Sequence, residues 1–290
     1  MTTYDSPSST TGTFNVGNKN QRVVLCVLLK DVVHSTNSGT SSKYGVSIDS
    51  VFGNVDENGT LQLATKTFEF NGAGIKSMAF PGLKSKFESA PITAAYLPDL
   101  IDVADQCLDL TFAGCTQLKI LDLSKLETAT GQYVCENLGY ACSALEDLRL
   151  NKLKTINGAY AFIAAFGECT SLPTADLSSL ETISGSNACA QMFFGCKNMT
   201  SVLLTNLKTI STAGACQSMF KNCTGLTRVD FPALTSVVAN GFGSGSNCIF
   251  SGCTNITELH FRADAQSVIS SLAGYSTNFG ATNATIYFDL

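Results

Sequence analysis

The stretch Phe166–Ile183, FGECTSLPTADLSSLETI, decides how the whole chain is read. Its cysteine, Cys169, is one rung of a ladder. Cys115, Cys142, Cys169, Cys196 and Cys223 follow one another at intervals of 27 residues, and Cys253 comes 30 after the last. A fixed period of this length is the mark of a repeat architecture, in which one supersecondary unit is copied and stacked.

Counted from each cysteine, the apolar residues fall into columns. Position +3 holds Leu118, Leu145, Leu172, Met199 and Leu226. Position +6 holds Leu121, Leu148, Ala175, Val202 and Val229, and +8 holds Leu123, Leu150, Leu177, Leu204 and Phe231. The +6 and +8 pair is the period-2 signature of a short strand with one buried face. Leu126, Leu153, Leu180, Leu207 and Leu234 follow at +11, and Ala129, Ile156, Ile183, Ile210 and Val237 at +14, spaced as a coil turning corners requires. Three residues before the cysteine stands Phe112, Phe166, Phe193, Phe220 or Phe250; the unit of Cys142 has Gly139 there. Each unit thus supplies a strand, an apolar corner, a Gly/Ser/Asn-rich turn and a short aromatic return. One coil cannot bury its apolar side alone, whereas stacked coils bury a continuous core.

The pattern resembles the BspA-like leucine-rich repeats, whose units read roughly Phe-x-x-Cys-x-x-Leu, then a leucine strand and an Ile-containing corner. The resemblance runs from about Gly72 to Ala263. Turns such as Ser184-Gly185-Ser186-Asn187 make this unit a few residues longer than is usual in that family. The resemblance implies binding or adhesion and no common catalytic residue.

The expected fold is a mainly β, or α/β, solenoid of about 27-residue coils with one short parallel strand in each. Residues 1–70 read as an N-terminal arm and β cap, 71–263 as the solenoid and 264–290 as a C-terminal helix–strand cap. Residues 1–20 are polar, and read as a flexible arm or as a segment that orders on a partner. Strands are expected over 21–33 and 44–52. Asp56-Glu57-Asn58-Gly59 forms a hairpin turn before Thr60–Ala64. Two irregular coils precede Cys115; the second is in register with Ser89 in the cysteine's place. At the other end Asp264 is expected to cap a helix over 265–273 that stops at Gly274, before a last strand over 284–288.

With 44% hydrophobic and 14% charged residues, the 290-residue chain is expected to be well ordered. Eighteen basic residues against 23 acidic ones, with no basic run, argue against sequence-independent nucleic-acid binding. The 12 cysteines recur where the pattern wants a small buried residue, and no Cys-x-x-Cys pair suggests zinc. They read as a buried thiol ladder formed in a reducing cytoplasm, with disulfides between coils as the alternative. No secretion signal is recognisable near the N-terminus, and no apolar run is long enough for a membrane span.

No catalytic, phosphate-binding or metal motif stands out, so no enzyme activity and no cofactor are expected. His34 and His260 are the only histidines, and His260 reads as an exposed strand residue. The candidate binding site is the outward strand face. Position +7 carries Asp122, Arg149, Asp176, Leu203, Asp230 and His260, and +5 carries Ile120, Asp147, Thr174, Ser201, Arg228 and Glu258. The bland reading of that face is a solvated ladder of opposite charges paired between coils, such as Asp122–Arg149–Asp176. The functional reading is a face for a protein or carbohydrate receptor. The chain then reads as a recognition protein, such as a phage tail or head fibre component docked as a trimer or through residues 1–70. A bacterial cell-surface adhesin and a cytoplasmic interaction scaffold are the alternatives.

Overall fold

In this computed structural model the structure describes residues 87–290 without a break and, before them, 23–26, 54–55, 61–62, 68–72, 75–78 and 83–85. The strands are β1 (Val23–Cys26), β2 (Asn54–Val55), β3 (Leu61–Gln62), β4 (Phe68–Asn71), β5 (Ser77–Met78), β6 (Ile92–Tyr96), β7 (Asp102–Val103), β8 (Ile120–Asp122), β9 (Thr128–Ala129) and β10 (Asp147–Arg149). They continue as β11 (Thr155–Ile156), β12 (Thr174–Asp176), β13 (Thr182–Ile183), β14 (Ser201–Leu203), β15 (Thr209–Ile210), β16 (Arg228–Phe231), β17 (Ser236–Val237), β18 (Glu258–Phe261) and β19 (Thr285–Phe288). The expected strand over 44–52 and the turn at 56–59 lie outside the described residues, but β2 and β3 pair antiparallel on either side of that turn.

The chain is a parallel β-solenoid, and each regular coil contributes two strands. The first, at +5 to +7, is the one the alternation signals. The second lies at +13 and +14, in what reads from the sequence as a corner; two residues are too few for a period-2 pattern to show. The second strands form one unbroken parallel sheet in the order β5, β7, β9, β11, β13, β15, β17. The first strands form a wall interrupted twice. β1, β4, β6, β8 and β10 form one sheet, β12 and β14 another, and β16, β18 and β19 a third. The break before β12 has a chemical cause. Lys119 N donates to Thr93 O, Glu146 N to Lys119 O and Thr200 N to Pro173 O, each from position +4 to the coil before. Position +4 of the β12 coil is Pro173, which has no N–H to give.

The third side of each coil is the return segment. Its backbone bonds cross to the next coil at every second residue: Tyr133 N to Ala159 O, Cys135 N to Ala161 O, Asn137 N to Ile163 O, Gly139 N to Ala165 O. Every fourth residue is left-handed, in columns that repeat down the stack. Tyr133, Asn137 and Ala141 are followed by Tyr160, Ala164 and Glu168, then by Asn187, Gln191 and Gly195. Left-handed backbone costs a non-glycine residue about 1 kcal/mol, offset here by the bonds this geometry completes. Ala164→Gly is therefore expected to leave stability unchanged or raise it by up to about 1 kcal/mol, where glycine elsewhere lowers it. A urea melt checks this.

The three sides enclose a dry core. The +3, +6, +8, +11 and +14 columns are buried. Phe166, Phe193, Phe220 and Phe250 stack with ring centroids 5.7–5.8 Å apart, and the column is broken at Gly139. Eleven cysteines from Cys107 to Cys253 are buried and unbridged. Each ladder thiol also makes a bond that the reading of cysteine as a small apolar filler does not foresee. Cys115 Sγ donates to Phe87 O (2.9 Å), Cys142 to Phe112 O (3.1 Å), Cys169 to Gly139 O (3.2 Å), Cys196 to Phe166 O (3.1 Å), Cys223 to Phe193 O (3.0 Å) and Cys253 to Phe220 O (2.9 Å). The thiol thus ties its coil to the aromatic turn of the coil before, which alanine or valine could not do.

The C-terminal helix α1 spans only Gln266–Ser270, shorter than expected. Ala265 occupies its N-cap, and Asp264 pairs with Arg262 instead (2.7 Å). Gly274 is left-handed (φ 85) and begins a 3-10 segment, Tyr275–Gly280. β19 then pairs in register with β18, His260 opposite Tyr287, continuing the first wall.

Candidate functional site

Residues at +5 and +7 share the outer face of the first wall, because side chains two apart on a strand project to the same side. The structure gathers the candidate residues into two ionic clusters. In the first, Arg149 Nη1 reaches Asp122 (2.9 Å) and Nη2 reaches Asp147 (2.6 Å). Asp122 lies largely under that guanidinium and also accepts a bond from Ser124 N (2.9 Å).

Asp176 does not complete an Asp122–Arg149–Asp176 ladder. Arg149 takes its second carboxylate from Asp147 on its own strand, and Asp176 accepts a backbone bond from Ser178 (3.0 Å). The interruption of the wall at Pro173 falls between Arg149 and Asp176.

The second cluster is larger. Arg228 holds Asp230 (2.7 Å) on its own strand and Glu258 (3.3 Å) on the next. His260 Nε2 lies 3.2 Å from Glu258, and Nδ1 lies 2.7 Å from Asp289. The Tyr287 ring stacks on the imidazole with centroids 4.6 Å apart. His260 is therefore not the exposed strand residue its place in the repeat suggests; it is 6% exposed. The cause is β19, which lays Tyr287 across it and supplies Asp289. Protonated, the ring donates to both carboxylates; neutral, it donates to one. Tyr287→Ala is expected to uncover the imidazole, raising its rate of modification by diethylpyrocarbonate as read by mass spectrometry. An unchanged rate would mean that the strand backbone, not the ring, protects it.

Between the clusters lie Thr174, Asp176, Ser201 and Leu203, the last 47% exposed. This middle carries one charge, Asp176, which makes no ion pair among the described residues. Asp289 and Tyr287 belong to the site but were missed from the sequence, because they lie past the regular repeats; the 27-residue offset from His260 to Tyr287 is the signal that could have found them. Among the described residues no three His, Cys, Asp or Glu side chains are placed to hold a metal ion, and no helix is long and apolar enough to cross a membrane. The arrangement offers a rigid, hydrogen-bonding surface of mixed charge.

The family described as BspA type leucine rich repeat region matches residues 85–226 and 140–267, in six copies. Among solved structures, a leucine-rich repeat protein of T. pallidum is similar at 19% identity, over 74% of this chain and 93% of that one, with a TM-score of 0.39. A leucine-rich repeat protein of Bacteroides ovatus ATCC 8483 is similar at 13% identity, over 76% and 70%, with a TM-score of 0.30. Among curated proteins no match to this sequence is found.

Proposed function

Because the chain belongs to the BspA type leucine-rich repeat family, we propose that it is a non-enzymatic recognition protein that holds a protein or carbohydrate receptor against its first wall. Repeats of this kind generally serve protein interaction or adhesion. The observation that carries the reading is the pair of ionic clusters, each set on short rigid strands, flanking a middle with an exposed leucine. Preset charges steer encounter and select partners more than they add affinity. Reversing Arg149 and Arg228 to glutamate is expected to weaken binding to receptor-bearing cells at least about tenfold, with the circular dichroism spectrum unchanged. Equal binding by the reversed variant would remove the first wall from recognition.

The finer reading places the protein in a phage virion, as part of a tail or head fibre that docks through residues 1–70 or assembles as a trimer. The unbridged thiols support it, since particles assembled in the cytoplasm fold where thiols stay reduced. Mass spectrometry of purified particles tests it. The protein is expected among the virion components; recovery from the cell envelope alone, with its cysteines oxidised, would favour a surface adhesin instead.

A further inference from the structure

The second wall presents a different surface. Its strands place Thr128, Thr155, Thr182, Thr209 and Ser236 directly opposite one another across five consecutive coils. Two residues on, just past the strand ends, Thr130, Asn157, Ser184 and Ser211 form a second polar rank, which ends at Val238 in the fifth coil. Strand pairing sets neighbours about 4.8 Å apart. The result is a flat grid of short hydroxyl and amide groups on the one sheet that runs through the coils without interruption.

Two features separate this grid from ordinary threonine usage in strands. Threonines elsewhere bond the coil before: Thr170 to Ser143 O, Thr200 to Pro173 O, Thr235 to Lys208 O, Thr257 to Thr227 O. The hydroxyls of Thr128, Thr155, Thr182 and Thr209 make no such bond to the described residues. They stand half-buried, in register, with their hydrogen-bonding capacity free. Second, the flanking rank Glu127, Lys154, Glu181, Lys208 alternates in sign and pairs internally, Lys154 with Glu127 and Lys208 with Glu181, both at 2.8 Å. Over the coils of Thr128 to Thr209 this flank therefore offers no net charge to a charged ligand, and the first carboxylate in the column is Asp102, opposite Thr128.

From this we infer that the second wall is a binding site for a linear, uncharged polysaccharide laid along the stack axis, one sugar to about one coil. An extended chain of pyranose rings repeats its hydroxyls on the same scale as paired strands, so each coil meets an equivalent set of donors and acceptors. Neutrality of the flanking rank selects an uncharged polymer over a polyanion. From Thr128 to Ser236 the wall lacks the large apolar anchors that protein partners use; the exposed Ile101 lies one coil before. The mixed second rank and the charged flank also fail to present the single repeated group that a water lattice would need, whereas the hydroxyls of a sugar differ around the ring. This site is separate from the charged first wall, and either can fail without the other.

The test uses the full chain and its Thr155→Val/Thr182→Val/Thr209→Val variant, which keeps shape and strand preference but removes three hydroxyls. Retention is measured on amorphous cellulose, β-mannan and chitin, with heparin and dextran sulfate as polyanions. The expected result is retention on at least one neutral polymer, weakened at least about tenfold in the triple variant at an unchanged melting temperature, and unaffected by Arg149→Glu/Arg228→Glu. Retention only on the polyanions, no retention at all, equal retention of the triple variant, or valine-sensitive inhibition of ice growth without glycan retention would each overturn it.

Discussion

Reduced protein is expected to lose its fold as pH rises from 9 towards 12. The cause is the buried sulfur. Burial pushes the thiols of Cys107, Cys115, Cys216 and Cys253 from the usual 9.0 up to about 12, and raises those of Cys135, Cys142, Cys169, Cys189, Cys223 and Cys248 as well. For Cys223 the larger cause is its bond to the Cys196 sulfur, and burial adds to it. A thiol whose folded value is raised stays protonated in the native state while the unfolded chain sheds its proton. Its contribution to stability is complete below the unfolded value of 9.0 and is lost as pH climbs through the folded one.

Each such group removes about 1.4 kcal/mol per pH unit in that window. The four thiols at about 12 together remove roughly 5 kcal/mol per unit, against a total stability of about 5–15 kcal/mol for an ordinary domain. Urea midpoints measured under strong reductant should therefore fall steeply above pH 9. Replacing Cys115 and Cys253 by alanine should flatten the fall while lowering stability at neutral pH through the lost bonds to Phe87 and Phe220. A midpoint that stays level between about pH 8 and pH 11 would mean that water reaches the ladder.

The second large effect belongs to a column of glycines. Gly131, Gly158 and Gly185 lie 27 residues apart, just past the second strands, and stack backbone on backbone. A Cβ on Gly158 would stand 1.7 Å from Gly131 O, and one on Gly185 would stand 2.0 Å from Gly158 O. The obstacle is main chain, which cannot swing aside as the tip of a side chain can. Gly158→Ala is expected to cost about 3 kcal/mol or more, the upper end of overpacking effects, and to open the joint between two coils. Hydrogen exchange should then quicken at the amides of Tyr133, Cys135 and Asn137, which bond across that joint, before it quickens near Cys253. Uniform quickening along the whole chain would argue that the stack melts as one unit.

Most of the architecture was legible because it is written 27 residues apart several times over. One cysteine rung, one leucine pair and one phenylalanine, repeated in step, leave little freedom in how the coils stack. The second strands escaped because Thr155-Ile156 or Thr182-Ile183 is too short to show alternation. The thiol-to-carbonyl bonds escaped because cysteine suits a small apolar site equally well. The glycine column is visible at the right spacing, yet reads as one more flexible turn until the neighbouring carbonyl is known. In the candidate site, residues paired by the repeat itself, such as Asp122 with Arg149, could be anticipated. The cover over His260 was missed: Tyr287 and Asp289 follow the last cysteine-anchored unit, and only the 27-residue step from His260 to Tyr287 points to them.

The left-handed columns of the return wall carry a last consequence, for how such a chain can vary. Sixteen non-glycine residues at positive φ among those described include Leu, Tyr, Gln, Glu, Asn, Ala, Ser and Phe, but no Val, Ile or Thr. Branching at Cβ is what that backbone tolerates least. Positions such as Glu168 and Gln191 look free to drift, with polar side chains and no partner in the core. They nonetheless admit only unbranched replacements and glycine, so this flank should diversify along a narrower alphabet than its exposure to water would suggest.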